Sequence, residues 1–153
     1  MKIIQIILIL SLITISSCGY KVVNKIEKSD FKITETVFKG DSKINKKLGN
    51  NFKRYIQNKN ATRSFKINIE SQSARNVTSK DTSGKVTGYT LEITTFLEIY
   101  ENDKKLNKFE INKKVDYDNL DSQFELKQYE KNLINDLVGL IIIDINNYLL
   151  SIQ

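Results

Sequence analysis

From Phe31 to Val37 apolar and polar residues alternate, with Phe31, Ile33 and Val37 on one side and Lys32, Thr34 and Thr36 on the other. That is the period of a half-buried strand, and Gly40 and Asp41 then break it. The period lengthens next. Ile44, Leu48, Phe52, Tyr55 and Ile56 recur at helical spacing while Lys46, Lys47, Asn50, Lys53 and Arg54 lie elsewhere on the wheel, predicting an amphipathic helix capped by Asp41 or Ser42. Gly49 inside it costs about 1 kcal/mol relative to Ala, so packing must hold this helix. Phe65, Ile67 and Ile69 alternate with Lys66, Asn68 and Glu70 in a second strand that extends toward Val77, and Ser79 to Gly84 has turn composition.

The stretch from Val86 to Tyr100 predicts a long third strand with Tyr89, Leu91, Ile93, Leu97 and Ile99 on one face, and Phe96 and Tyr100 on the other. After a hairpin at Glu101 to Lys105, the return strand places Phe109, Ile111, Val115 and Tyr117 together. Ser122 and Glu125 have capping-box spacing and open the clearest helix. Its stripe is Leu126, Tyr129, Leu133, Leu137, Leu140 and Ile141, widened by Ile134, Val138, Ile142, Ile145 and Leu149. Asn135, Asp136, Asp144, Asn146 and Asn147 interrupt this segment, which argues against a bilayer span and for a deeply packed helix. The order β-α-β-β-β-α predicts an α+β fold: a two-layer sandwich with a mixed four-stranded sheet and two helices on one face. Leu137, Leu140, Ile141, Ile93 and Ile111 are the expected core.

The chain begins differently. Met1-Lys2 is a short basic start, and Ile3 to Ile15 is apolar apart from Gln5, Ser11 and Thr14, which suits a signal peptide and is too short to span a bilayer. Ile15-Ser16-Ser17-Cys18-Gly19 resembles the lipobox of bacterial lipoproteins, in which small residues admit the peptidase and the cysteine thiol takes a diacylglycerol. The expected division is residues 1–17 as signal, 18–30 as lipidated N-terminus and linker, and 31–153 as one sandwich domain. Cys18 is the only cysteine, so no intramolecular disulfide is possible, and its thiol sits where lipid would consume it. An N-acyl diacylglycerol on Cys18 would make a permanent membrane anchor, since each buried CH₂ contributes about 0.8 kcal/mol. Gly19, rather than Asp, follows the cysteine; by resemblance to lipoprotein sorting in enteric bacteria, this implies the periplasmic face of the outer membrane.

Charge and composition narrow the chemistry. Of 24 basic and 18 acidic residues only Lys2 precedes Cys18, so 23 basic residues face 18 acidic ones in the remainder, a balance of +5. Export and a general Lys, Asn and Ile excess argue against a nucleic-acid partner. The sequence has no His, which removes the commonest general base and metal ligand. No metal site, glycine-rich phosphate loop or cofactor motif is expected, and carboxylate pairs without a selecting spacing do not indicate an enzyme.

Cys18-Gly19-Tyr20, Gly88-Tyr89-Thr90-Leu91-Glu92-Ile93, Asp116-Tyr117 and Tyr129-Glu130 together resemble the LPS-assembly lipoprotein (LptE) family, as do chain length and element order. The resemblance implies a non-enzymatic lipoprotein that plugs the outer-membrane β-barrel LPS translocon, assists its assembly and contacts lipopolysaccharide on its way to the cell surface. An auxiliary lipoprotein of another envelope transporter or secretion channel is the alternative. Within the first reading, Arg75, Lys80 and Lys85 flank a turn able to present backbone amides, and are the candidate contacts to LPS phosphates.

Overall fold

The computed structural model describes residues 29–152. The elements are β1 (Phe31–Gly40), α1 (Ser42–Ile56), β2 (Arg63–Lys80), β3 (Val86–Glu101), β4 (Lys104–Asp118) and α2 (Gln123–Ser151). The strands lie in sequence order in one sheet, β1 parallel to β2 and the other neighbours antiparallel, as the alternating patterns and short turns predict. Both helices lay their apolar stripes into one core over the sheet. The expected signal at 1–17, Cys18 and the linker as far as residue 28 lie outside the described residues.

Local chemistry sets the junctions. Asp41 caps α1, its carboxylate accepting from the amides of Lys43 (2.9 Å) and Ile44 (3.2 Å). Ser122 caps α2 by accepting from the Glu125 amide at 3.3 Å. Asn102 and Asp103 both have positive φ, 50° and 60°, and make the two-residue turn between β3 and β4. Gly49 lies against the Phe38 ring, which a Cβ there would meet at 3.4 Å, so the residue that weakens the helix also lets β1 pack close to it.

Several expected positions move. A register shift between Ile33 and Glu35 inverts the alternation of β1, so that Phe38 instead of Val37 packs on the core and stacks with Phe52 at 6.4 Å. Ile56 is exposed at the end of α1. Leu140 is not core: it is 48% exposed, whereas Leu137, Val138 and Ile141 are buried. The apolar positions of α2 cover more of its circumference than a sheet can contact, and Leu140 sits one residue, or about 100°, round from Ile141. Ile93 and Ile111 are buried as expected. By length and composition α2 could cross a membrane. Here its inward stripe is spent on the sheet, Asp144 pairs with Lys113 at 2.6 Å, and Asn146 accepts from Asn51 and from the Tyr55 hydroxyl, both at 3.0 Å.

The elements differ in length, and this shapes the molecule. At about 3.3 Å per residue β2 runs for about 60 Å, while α1 covers about 22 Å and α2 about 43 Å at 1.5 Å per residue. β1 stops where Gly40 pairs with Ser71, so β2, β3 and β4 continue beyond it as a three-stranded tongue covered by α2 alone. Both helices run antiparallel to β2, hence parallel to each other, with their N-termini toward the tongue. At the opposite end Arg63 grips Glu101 through two bonds of 2.7 and 3.0 Å and donates to the Ile152 carbonyl just past α2.

Candidate functional site

The β2–β3 turn is built by one carboxylate. Asp81 accepts from the amides of Ser83 (2.8 Å) and Lys85 (3.0 Å) and from the Ser83 hydroxyl (2.7 Å), and the Gly84 amide donates to the Asp81 carbonyl at 3.0 Å. The Ser83 hydroxyl and these amides hold the Asp81 carboxyl below its ordinary range. The amides that the sequence suggested for an anion are therefore engaged by the turn's own acid. Lys85 pairs with Asp121 at 3.1 Å in an exposed contact, while Lys80 is exposed and in no ion pair among the described residues.

Arg75 stands apart from the turn, on the side of the tongue facing α2. Its Nε lies 2.8 Å from Glu130 Oε1 and 3.3 Å from the Tyr117 hydroxyl, and its guanidinium sits over the Tyr89 ring at 3.7 Å. Tyr117 donates to Glu130 Oε1 at 2.7 Å, stacks with Tyr89 at 5.7 Å and meets the edge of Tyr129 at 6.0 Å. Burial, and then the bond to Glu130, push the Tyr117 hydroxyl up to about 12. The three cations thus divide between a clasp and a tip instead of converging on one anion.

The clasp collects residues from four separated stretches of sequence, one in each of β2, β3, β4 and α2. Tyr89, Tyr117, Tyr129 and Glu130 belong to the dispersed pairs on which the family resemblance rests, and here they form one cluster around Arg75. Sequence reasoning singled out Arg75 for an external phosphate and missed its internal partners. The missed signal was the pairing of aromatic and acidic residues at Asp116-Tyr117 and Tyr129-Glu130, each at the tongue end of its element.

On the sheet face away from the helices lies a shallow depression of about 490 Å³ among Val37, Phe96, Lys66, Glu98 and Lys108. Its charges are largely matched: Lys66 with Glu35 at 2.9 Å, and Glu98 with Lys105 at 2.5 Å and Lys108 at 3.9 Å. Among the described residues no group of three His, Cys, Asp or Glu side chains is placed to hold a metal.

No family model matches the chain, and no curated protein matches it in sequence. Solved structures do match in fold. The chain is similar to lipoprotein B from Nitrosomonas europaea, with a TM-score of 0.59 and 18% identity, covering 83% of this chain and 87% of that one. It is similar to a minor lipoprotein from Acinetobacter baumannii, with a TM-score of 0.57 and 15% identity over 77% of this chain and 91% of that one. The rare lipoprotein B of Shewanella oneidensis gives a TM-score of 0.51 and 18% identity over 76% of this chain and 91% of that one. At such identities the shared property is the architecture, and the proteins sharing it are bacterial lipoproteins.

Proposed function

We propose that this chain is a lipid-anchored, non-enzymatic envelope protein that plugs the outer-membrane β-barrel LPS translocon, assists its assembly and helps deliver LPS outward. The observation that carries the reading is the clasp. Residues that resemble the LPS-assembly lipoproteins at scattered positions meet around Arg75, in a fold shared with bacterial lipoproteins. The lipobox at Cys18 supplies the anchor, with an N-acyl diacylglycerol as its covalent group. A tongue and two helices on a rigid sheet offer an elongated surface to a barrel wall, and Lys80 and Lys85 at the tip are the solvent-facing cations available to LPS phosphates. Arg75 acts there by holding the tongue to α2.

Two measurements test this. Mass spectrometry of the mature N-terminus should find lipid on Cys18, and cleavage elsewhere would remove the anchor. Cross-linking in membranes followed by purification should recover the LPS translocon barrel. Recovery of a different transporter or secretion channel would instead establish the auxiliary-lipoprotein alternative.

A further inference from the structure

A second basic feature lies away from the turn. Where α1 begins, α2 continues past it toward the tongue, and the step between them opens a groove of about 870 Å³. That volume is within the range of small-ligand sites. Lys43, Lys46 and Lys47 of α1 line one wall, Lys127 and Lys131 of α2 the other, and Ile134 lies between. None of the five lysines is in an ion pair among the described residues, although Lys47 donates to the Asn135 side chain.

The nearby acids are already engaged. Glu130 borders the groove, but its carboxylate receives Arg75 and the Tyr117 hydroxyl. The Asp41 carboxylate is held by the amides of Lys43 and Ile44 and by the Ser73 hydroxyl, at 2.9 Å. Glu130 is thus balanced by Arg75 while Asp41 still attracts Lys43, and the five ammonium groups leave the concavity with a net positive charge.

We propose that this groove binds a ligand carrying two or more phosphate groups. Each phosphomonoester or terminal phosphate brings nearly two negative charges on a compact centre, so two or three neutralise the five lysines. An acidic polypeptide brings at most one charge per residue and loses chain entropy on ordering. Phosphates of this kind occur on lipid headgroups and on soluble polyanions, and the groove recognises what they share. The inference goes beyond the translocon reading and holds for either envelope role, since it rests on the groove alone.

The test uses the full chain in non-ionic detergent, titrated by calorimetry with inorganic tripolyphosphate and, separately, with phosphatidylinositol 4,5-bisphosphate in mixed micelles. Wild type should bind at least one probe: the first alone identifies a soluble polyanion, the second a headgroup, and either sustains the proposal. Lys46→Glu with Lys131→Glu, one exposed lysine from each wall, should weaken binding at least about tenfold. The same charge change at Lys104 and Lys114 of β4 should leave it within about threefold, because screening confines the effect to nearby charges. If the glutamate pair does not fold, Lys46→Gln with Lys131→Gln gives the same comparison. Equal loss in the β4 control, binding of poly-glutamate as tight as tripolyphosphate, or no binding of either phosphate probe would overturn the proposal. Recovery of the barrel by cross-linking is read independently of all these outcomes.

Discussion

Leu140 and Ile141 are neighbours in sequence with opposite fates, and the contrast tests the packing of α2 directly. Ile141 is fully buried, so Ile141→Ala should lower unfolding stability by about 2 to 5 kcal/mol through lost burial and a residual cavity. Leu140 is half in water, and Leu140→Ala should cost less than about 1 kcal/mol. Urea midpoints of the two variants decide it, and equal losses would mean that α2 is rotated from the orientation described. Thr95 gives a prediction of opposite sign. Its side chain is buried in the core face of β3 and its hydroxyl has no hydrogen-bond partner among the described residues, whereas Ser71, paired across from it, donates to Asn45 at 2.7 Å. Thr95→Val keeps the shape and removes the unmet polar group, so it should raise stability by about 1 kcal/mol in the same assay.

At the scale of elements, the join from β1 to α1 is the least tolerant point. Gly40 has φ +86°, and a Cβ there would sit 1.9 Å from the Ser71 carbonyl oxygen, on the backbone of the neighbouring strand. Gly84 has nearly the same φ, +85°, with open space around it. Gly84→Ala should therefore cost only the left-handed penalty of about 1 kcal/mol, and Gly40→Ala clearly more than 2 kcal/mol, read from thermal midpoints. The junction also shows what the sequence can convey. Strand and helix periods, both caps and both hairpins were legible because each is a local pattern within one turn or a few residues. The bulge after Ile33 was not, since an inserted residue leaves no mark on composition and only inverts which side chains face inward. The over-wide stripe of α2 misled for a related reason: periodicity shows which positions are apolar, but the width of the surface they meet is a tertiary quantity. The clasp was illegible as a contact, because Arg75 meets Glu130 only once the sheet has formed and α2 has folded back over the tongue. The turn cations were visible, but not that Asp81 would take the amides between them.

Across the whole molecule the clasp joins the tongue to α2, and pH should reveal its contribution. The Tyr117 proton is held more tightly in the folded state, up to about 12, than at its ordinary value of about 10 in the unfolded chain. Between those values the folded state binds more protons, so the tyrosine's contribution is complete below about pH 10 and is lost as pH rises toward 12. Burial also raises Tyr55, and the Glu98 carboxylate beside it raises Tyr100, so the informative quantity is the difference from Tyr117→Phe. That variant should lose stability less steeply over this interval in denaturant melts followed by circular dichroism. The early end of β1 has a consequence for time as well as for shape. From Lys66 to Ser71 β2 has a strand on each side, so both outward rows of its amides are bonded; from Gln72 to Val77 only the β3 row is. Deuterium should therefore enter the isolated chain in two regimes along one strand: slow and uniform in the first half, then alternating fast and slow from residue to residue in the second. Uniform protection through Val77, measured by NMR, would mean that something else bonds the outer row.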